Sequence, residues 1–137
     1  MTYIRQVETI CNRHNLKFFA IGGTAIGAVR HHGFIPWDDD IDVALKRDDY
    51  NRFVEYAKNE LEDPYFLQLP TTDKYFYSPH IFLRNSNATC IAHGDGALKC
   101  NNGAIIHIFP LDGYTENLRY RHFIKSQRIK HIVAFEW

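Results

Sequence analysis

The chain has 137 residues, of which 45% are apolar, 23% charged and 15% aromatic, a composition typical of one globular domain. Its 16 Lys and Arg residues balance its 16 Asp and Glu residues, so no basic field favours nucleic acid, and we predict no nucleic-acid partner. Cys11, Cys90 and Cys100 lack a C-x-x-C spacing, which argues against a zinc ribbon or disulfide scaffold and for a reducing compartment. No run of about 18 apolar residues occurs, so we predict no transmembrane segment.

The N-terminal part is predicted to form a helix and then a short strand. A helix capped by Thr2 is expected to run to about Asn15, because apolar residues recur there at helical spacing. Those residues are Ile4, Val7, Ile10 and Cys11. Residues 17–21 are rich in β-forming side chains, which predicts a strand.

A second, shorter helix is predicted after this strand. Gly22-Gly23 breaks the strand, Thr24 is expected to cap the helix, and Gly33 is expected to end it. Pro36 excludes helix from the next segment and keeps it extended.

An acidic run leads into the second predicted strand. Charged and apolar residues alternate over residues 40–45, which predicts a half-buried strand with Asp40 and Asp42 on one face. Asp38 lies two residues before Asp40, so alternation places it on the same side as Asp40 and Asp42. Asp39 would face the other side of the strand, and we interpret it either as structural or as a residue that supports the metal ligands without binding the ion.

The rest of the chain predicts one clear amphipathic helix, several strands and a last helix. The amphipathic helix is predicted over residues 48–61. Strands are predicted at 65–69, 80–83, 89–92 and 104–109, turns at 86–87 and 94–96, and the last helix from about Glu116. The final strand is expected to end at Pro110. This order predicts an α+β (mixed α/β) fold, with a small mixed sheet and flanking helices.

The two glycines and the acidic run together indicate a phosphoryl-transfer site. Gly22 and Gly23 let a backbone approach a phosphate closely, and the helix that follows offers it free N–H groups. Asp40 and Asp42 could hold one or two Mg²⁺ ions beside that phosphate, with Asp38 as a further ligand or a turn cap. Alternatively, the two glycines form a simple turn, and the acidic run forms a solvated turn that binds no ion. However, clustered carboxylates repel one another, which favours a bound cation.

Arg30, His31 and His32 lie between the two halves of this predicted site. The Arg30 guanidinium could clamp a phosphate with its fork of donors. Alternatively, Arg30 is a surface charge near a helix C-terminus, where cations are favoured. For the two histidines the surface interpretation is the better one.

The segment from Gly22 to Val43 reads GGTAIGAVRHHGFIPWDDDIDV and closely resembles the signature of the LicD family, which also includes the fukutin-like domains. Residues 108–113, Ile-Phe-Pro-Leu-Asp-Gly, resemble the second signature of that family. Between them, Arg47, Asp49, Tyr50 and Phe53 resemble the helix that follows the first signature. The resemblance extends from about Phe18 to Gly113.

The resemblance implies a nucleotidyltransferase-type fold and a metal-dependent phosphotransferase. Such an enzyme moves a phosphorylated alcohol, such as phosphocholine, from a CDP-activated donor such as CDP-choline to a hydroxyl of a cell-surface glycan, for example lipopolysaccharide or teichoic acid. The implied cofactor is Mg²⁺ or Mn²⁺. The candidate metal ligands are Asp38, Asp40 and Asp42, and the candidate donor-phosphate residues are Gly22, Gly23, Thr24 and Arg30. We expect residues 1–137 to be one LicD-type domain that lacks a C-terminal part, in a cytoplasmic protein that works near the inner face of a membrane.

Two positions depart from the family pattern. The residue before Ile108 is usually aspartate, a third carboxylate, whereas this chain has His107. His107 could accept a proton or bind a transition metal, could mark an inactive site, or could be an ordinary half-buried histidine. The base that takes the acceptor's proton is therefore predicted to be Asp42 or His107. His80 stands where relatives have lysine, which would weaken phosphate binding.

Three other functions stay open from the sequence alone. The first is nucleotidyl transfer from an NTP donor, which needs the same first half of the site. The second is a non-catalytic domain that binds nucleotide or glycan. The third is a structural zinc module, which the spacing of the histidines and cysteines argues against.

Overall fold

Helices flank one mixed sheet in the part of the chain that the structure, a computed structural model, describes: residues 3–76, 78–91 and 99–123. The helices are α1 (Tyr3–Arg13), α2 (Gly22–Ile26) and α3 (Arg47–Glu60). The strands are β1 (Phe18–Ala20), β2 (Asp42–Lys46), β3 (Tyr65–Gln68), β4 (Ile81–Thr89) and β5 (Gly103–Leu111). A π-helical turn, Gly27–His31, continues α2, and residues 118–123 are helical.

The five-stranded sheet has the order β1-β2-β5-β4-β3. β2 and β5 are parallel, and the other neighbouring pairs are antiparallel. This mixed sheet with helices confirms the predicted α+β fold. β5 is the central strand, so it is fixed from both sides by β2 and β4.

The hydrophobic core lies between the sheet and helices α1 and α3. Its fully buried side chains include Val7, Cys11, Val43, Leu45, Phe53, Leu83, Ile106 and Ile108. The predicted apolar face of α1 is therefore confirmed, with Ile4 packed at its margin. Because side chains alternate along a strand, residues between these core positions on β2 and β5 face the other side of the sheet. Asp42 and His107 are two such residues.

Two predictions about the ends of the second helix were wrong. Thr24 does not cap α2: the helix begins at Gly22, after Ile21 in extended conformation, and no side chain caps it. The hydroxyl of Thr24 instead accepts a hydrogen bond from the backbone N–H of Asp42 in β2. The π-helical turn ends at His31, and His32 follows it in the left-handed conformation (φ 52°), one residue before the predicted stop.

β4 is a single strand where two strands and a turn were predicted. It runs through residues 86–87, although its pairing with β5 is irregular between Asn85 and Thr89. The polar residues that suggested a turn lie in this irregular part, where the ladder is already broken. The predicted turn at 94–96 and the helix beyond residue 123 lie outside the described residues, as does Thr2.

β5 continues through Pro110, where the sequence predicted its end. The backbone N–H of His107 donates to Ile41 on the β2 side, at 2.8 Å. By alternation, the nitrogen of Pro110 points toward β4 instead. β4 begins at Ile81, which pairs with Ile108, so no residue of β4 lies opposite Pro110 to accept a hydrogen bond from a backbone N–H. The missing N–H therefore removes no bond from the ladder.

The buried thiol of Cys11 gives a first testable prediction. Burial, and then the negative charge of Asp49, raise the pKa of Cys11 to about 12. Cys90 and Cys100 are partly exposed. Because the thiolate is the reactive form, we expect iodoacetamide at pH 8 to alkylate Cys90 and Cys100 in the native chain while Cys11 stays unmodified. Peptide mass spectrometry measures this, and equal labelling of Cys11 would show that α1 does not pack as described.

Candidate metal centre

Two carboxylates and one imidazole converge on the side of the sheet opposite the core helices. The parallel register of β2 and β5 places Asp42 directly beside His107, and Asp40 lies just before β2. Nδ1 of His107 is 3.3 Å from Oδ1 of Asp42 and 3.8 Å from Oδ2 of Asp40. One ligand atom from each of the three residues lies within 4.8 Å of the others.

This group has the spacing and exposure that a divalent cation requires. Ligand atoms about 2.0–2.2 Å from one ion stand about 3 Å apart, and the two distances from His107 to the carboxylates, 3.3 and 3.8 Å, are near this value. The side chains of Asp40, Asp42 and His107 are 32%, 20% and 23% exposed, so an ion could reach them from solvent. The three residues therefore fit a metal ion.

The segment after β1 wraps closely around Asp42. Gly22 adopts the left-handed conformation (φ 54°), and a Cβ added to it would lie 2.8 Å from Oδ2 of Asp42. The hydroxyl of Thr24 accepts the backbone N–H of Asp42 at 2.8 Å, and the N–H of Ile21 donates to the carbonyl of Asp42 at 3.1 Å. The glycine and the threonine thus position one of the candidate ligands.

Asp38 lies against the next glycine. A Cβ on Gly23 would collide with Oδ2 of Asp38, and this buried oxygen has no hydrogen-bond partner among the described residues. The backbone N–H of Asp38 donates to Ile35, at 3.0 Å. Asp38 does not belong to the converging group of three, but its unpaired oxygen has a desolvation cost that a cation would offset.

Arg30 is placed with His31 rather than with the carboxylates. It is exposed, and its Nε donates to Nε2 of His31 at 3.1 Å. The His31 ring in turn meets the edge of Trp37, with 6.3 Å between centroids. His31 and His32 are both exposed, as the surface interpretation expects. A phosphate clamp by Arg30 stays a prediction.

Aromatic rings surround the imidazole of His107. Phe82 stacks on it, with 4.7 Å between centroids and 18° between planes, and Phe109 meets it at 6.0 Å in a T-shaped arrangement. His80 lies 5.3 Å from His107 and stacks on Phe109. Burial, and then the nearby His107, lower the pKa of His80 to about 4, so its ring is neutral near pH 7.

Phe82 is a neighbour of the site that the sequence did not predict. Phe82 lies opposite His107 in the β4–β5 ladder, and the pairing of strands more than twenty residues apart leaves no local signal. His80 was noted only as a departure from a family pattern, and the structure places it beside His107.

A cavity of about 330 Å³ opens beside the acidic run. Its lining includes Phe34, Asp39, Asp40 and Cys90. Space for a small organic group therefore adjoins the candidate ligand Asp40.

The fold and the site define an α+β domain with a candidate metal group on two adjacent parallel strands. The sequence profile of the family described as "LicD/FKTN/FKRP, nucleotidyltransferase domain" matches residues 15–92, more than half of the chain, and the chain belongs to this family. The matched part contains Gly22 and Asp42. It ends before β5, so His107 lies outside the match.

Two relatives match parts of the chain. The lipopolysaccharide cholinephosphotransferase LicD of Haemophilus influenzae is 49% identical over 61 residues, which cover 44% of this chain and 23% of the relative. An uncharacterized protein of Rickettsia prowazekii is 28% identical over 119 residues, 87% of this chain and 41% of the relative. The chain thus spans less than half the length of these relatives. None of the helices that the structure describes is long and apolar enough to cross a membrane.

Proposed function

We propose that this chain carries the metal-binding site of a phosphotransferase that moves a phosphorylated alcohol, such as phosphocholine, from a CDP-activated donor to a hydroxyl of a cell-surface glycan. The observation that carries the proposal is the convergence of Asp40, Asp42 and His107 beside the side-chain-free backbone of Gly22. Membership of the LicD family and the name of the Haemophilus relative support the reaction class.

Asp40 and Asp42 hold Mg²⁺ or Mn²⁺ in this proposal, together with His107. Asp38 is a further candidate ligand, because its buried Oδ2 has no hydrogen-bond partner in the described part of the chain. When bound, the ion neutralises charge on the transferred phosphate group. The protein contributes by fixing the ligands beforehand. Thr24 does so for Asp42 by accepting its backbone N–H.

The donor's phosphates are proposed to lie at the start of α2. Gly22 and Gly23 present bare backbone there, and a side chain on either would contact Asp42 or Asp38. The backbone can therefore approach a phosphate that lies next to the carboxylates. Arg30 is the proposed positive charge for that phosphate, and it is exposed and accessible for this role.

The acceptor hydroxyl attacks the phosphorus atom that carries the alcohol. A new P–O bond forms to the glycan, the P–O bond to CMP breaks, and CMP leaves. The hydroxyl proton passes to a site base, which is a carboxylate oxygen of Asp42, or the imidazole of His107 in the case that His107 does not bind the ion. Both are partly exposed, so both are accessible to an acceptor. The protein is proposed to work in the cytoplasm near the inner membrane face, with residues 1–137 as one LicD-type domain.

Calorimetric titration of CDP-choline in the presence of Mn²⁺ tests this proposal. We expect binding that requires the metal and that weakens about tenfold or more in the Asp40→Asn/Asp42→Asn double variant, because the ligand charges are lost. Asp48→Asn is the matched control: Asp48 is exposed in the first turn of α3 and outside the converging group, so this variant should bind normally. Equal binding by the double variant and the control would contradict the placement of the site. Release of CMP with a glycan acceptor then tests turnover.

A second candidate is a domain that binds a nucleotide without turnover. The observation that favours it is the distance of 3.3 Å between Nδ1 of His107 and Asp42. An Nδ1–H of the imidazole would donate to the Asp42 carboxylate and occupy the space in which a cation would bind. This candidate predicts nucleotide binding that does not depend on metal and that produces no CMP. Metal-dependent binding of CTP in preference to CDP-choline would instead favour a nucleotidyltransferase.

A further inference from the structure

We propose that His107 makes this a mixed oxygen–nitrogen metal centre that prefers Mn²⁺ over Mg²⁺, with Nδ1 of His107 bound directly to the ion. The inference rests on the proposed function, because it takes Asp40 and Asp42 as the carboxylate ligands. It concerns which cation the site selects and which atom makes that selection.

The orientation of the imidazole supports a direct metal bond. Nδ1 is the ring atom that faces the carboxylates, at 3.3 Å from Asp42 and 3.8 Å from Asp40. Two ligands on one ion, each about 2.0–2.2 Å from it, have a separation of about 3 Å. The three side chains therefore need only small movements to share one ion.

The ring is also held in this orientation by its surroundings. His107 lies on the central strand, and its backbone N–H donates to the carbonyl of Ile41, which comes just before β2. Phe82 covers one face of the ring, and Phe109 and His80 pack around it. These contacts fix the plane of the ring, and within that plane Nδ1 is the atom that faces Asp42.

Ligand chemistry then sets the preference. Mg²⁺ favours an octahedral shell of oxygen atoms and gives up water reluctantly, whereas imidazole suits first-row transition ions. Mn²⁺ is well served by carboxylates and also accepts an imidazole nitrogen, so a site with two aspartates and one histidine favours it over Mg²⁺. A third carboxylate in place of His107 would remove the nitrogen ligand, and with it this preference for Mn²⁺ over Mg²⁺.

His80 is the other nearby histidine, and its contacts give it a different role. Its ring stacks on Phe109 at 4.1 Å, and its Nδ1 contacts the hydroxyl of Ser78 at 3.3 Å. It does not belong to the converging group found among the described residues. We therefore expect one nitrogen ligand at the site, not two.

Pulsed electron paramagnetic resonance of the Mn²⁺-loaded chain tests the proposal without any activity assay. We expect nuclear modulation from one directly bound nitrogen in the wild-type chain and in His80→Phe, and loss of that modulation in His107→Asp. Calorimetry should show that the ratio of Mn²⁺ to Mg²⁺ affinity falls about tenfold or more in His107→Asp, with Mg²⁺ binding retained. Retained Mg²⁺ binding shows that this variant is folded.

Three results would overturn the proposal: no Mn²⁺ binding by the wild-type chain, Mn²⁺ binding without nitrogen modulation, or modulation that disappears in His80→Phe but persists in His107→Asp. Other results would reject either the proposed function or the metal preference without rejecting both. Loss of CDP-choline binding with the nitrogen signal intact would reject the donor while the metal preference stands. Equal use of Mg²⁺ and Mn²⁺ in CDP-choline binding, without a nitrogen signal, would reject only the metal preference.

Discussion

Replacing Arg84 by methionine is expected to lower the free energy of unfolding by roughly 2–5 kcal/mol, because it strands buried polar groups. Arg84 is only 5% exposed, although it carries a charge. Its Nε donates to Oε1 of Gln68 and its Nη1 donates to the carbonyl of Gly103, both at 2.8 Å. Methionine fills a similar volume but leaves both acceptors without this donor.

The groups around Arg84 form a network that joins three strands. Nε2 of Gln68 donates to Asp73 at 2.9 Å and to the carbonyl of Asn101 at 3.0 Å. Burial alone would raise the pKa of Asp73, but hydrogen bonds from the Asn101 backbone and from Gln68 outweigh it, so the pKa is lowered and Asp73 stays ionised. Residues of β3, β4 and the start of β5 are thus tied together. The strand that carries His107 is one of them.

Arg47→Met is the matched control for Arg84→Met. Arg47 donates twice to Asp112, from Nε and Nη2 at 2.6 Å each, so its ion pair has good geometry. The two side chains are 44% and 60% exposed, and an exposed pair of this kind contributes at most about 1 kcal/mol. Urea unfolding followed by circular dichroism measures both variants. If the two variants lose the same free energy of unfolding, the buried Arg84 network contributes no more to stability than the exposed Arg47–Asp112 pair.

The sequence predicted those parts of the fold that depend on local periodicity. Helices α1 and α3 were predicted within one or two residues, because their buried side chains recur at helical spacing. The strand β2 was predicted by alternation, although it begins at Asp42, two residues later than expected. Asp40 and Asp42 were selected because clustered carboxylates are costly without a cation, and this argument needs no knowledge of the fold.

The remaining features depend on contacts between distant segments. Strand order decides that Asp42 and His107 are neighbours, and they are 65 positions apart in the chain. His107 was noticed through the resemblance to a family motif, not through its own pattern. Thr24 was assigned to a local cap, whereas its hydroxyl serves a residue 18 positions away. The Arg84 network was not predicted for the same reason, since Gln68, Arg84 and Gly103 belong to three separate strands.

Gly22→Ala is expected to weaken Mn²⁺ binding about tenfold or more, because it displaces a carboxylate that the protein has positioned. The new Cβ would lie 2.8 Å from Oδ2 of Asp42, closer than such atoms approach. The carboxylate is the flexible end of its side chain, so Asp42 is expected to turn away from Asp40 and His107. The left-handed φ of 54° adds a conformational cost of about 1–2 kcal/mol to folding.

Two companion variants separate the clash from the backbone strain. Gly33→Ala adds a methyl group whose nearest neighbour, the carbonyl of His31, is 3.9 Å away, so neither stability nor Mn²⁺ affinity should change much. Gly22→Asn keeps the clash with Asp42, but asparagine tolerates the left-handed conformation. Its Mn²⁺ affinity should therefore fall as far as that of Gly22→Ala, while its stability falls less. Normal Mn²⁺ affinity in both Gly22 variants, measured by calorimetry on folded protein, would mean that Asp42 is not a metal ligand in the orientation seen here.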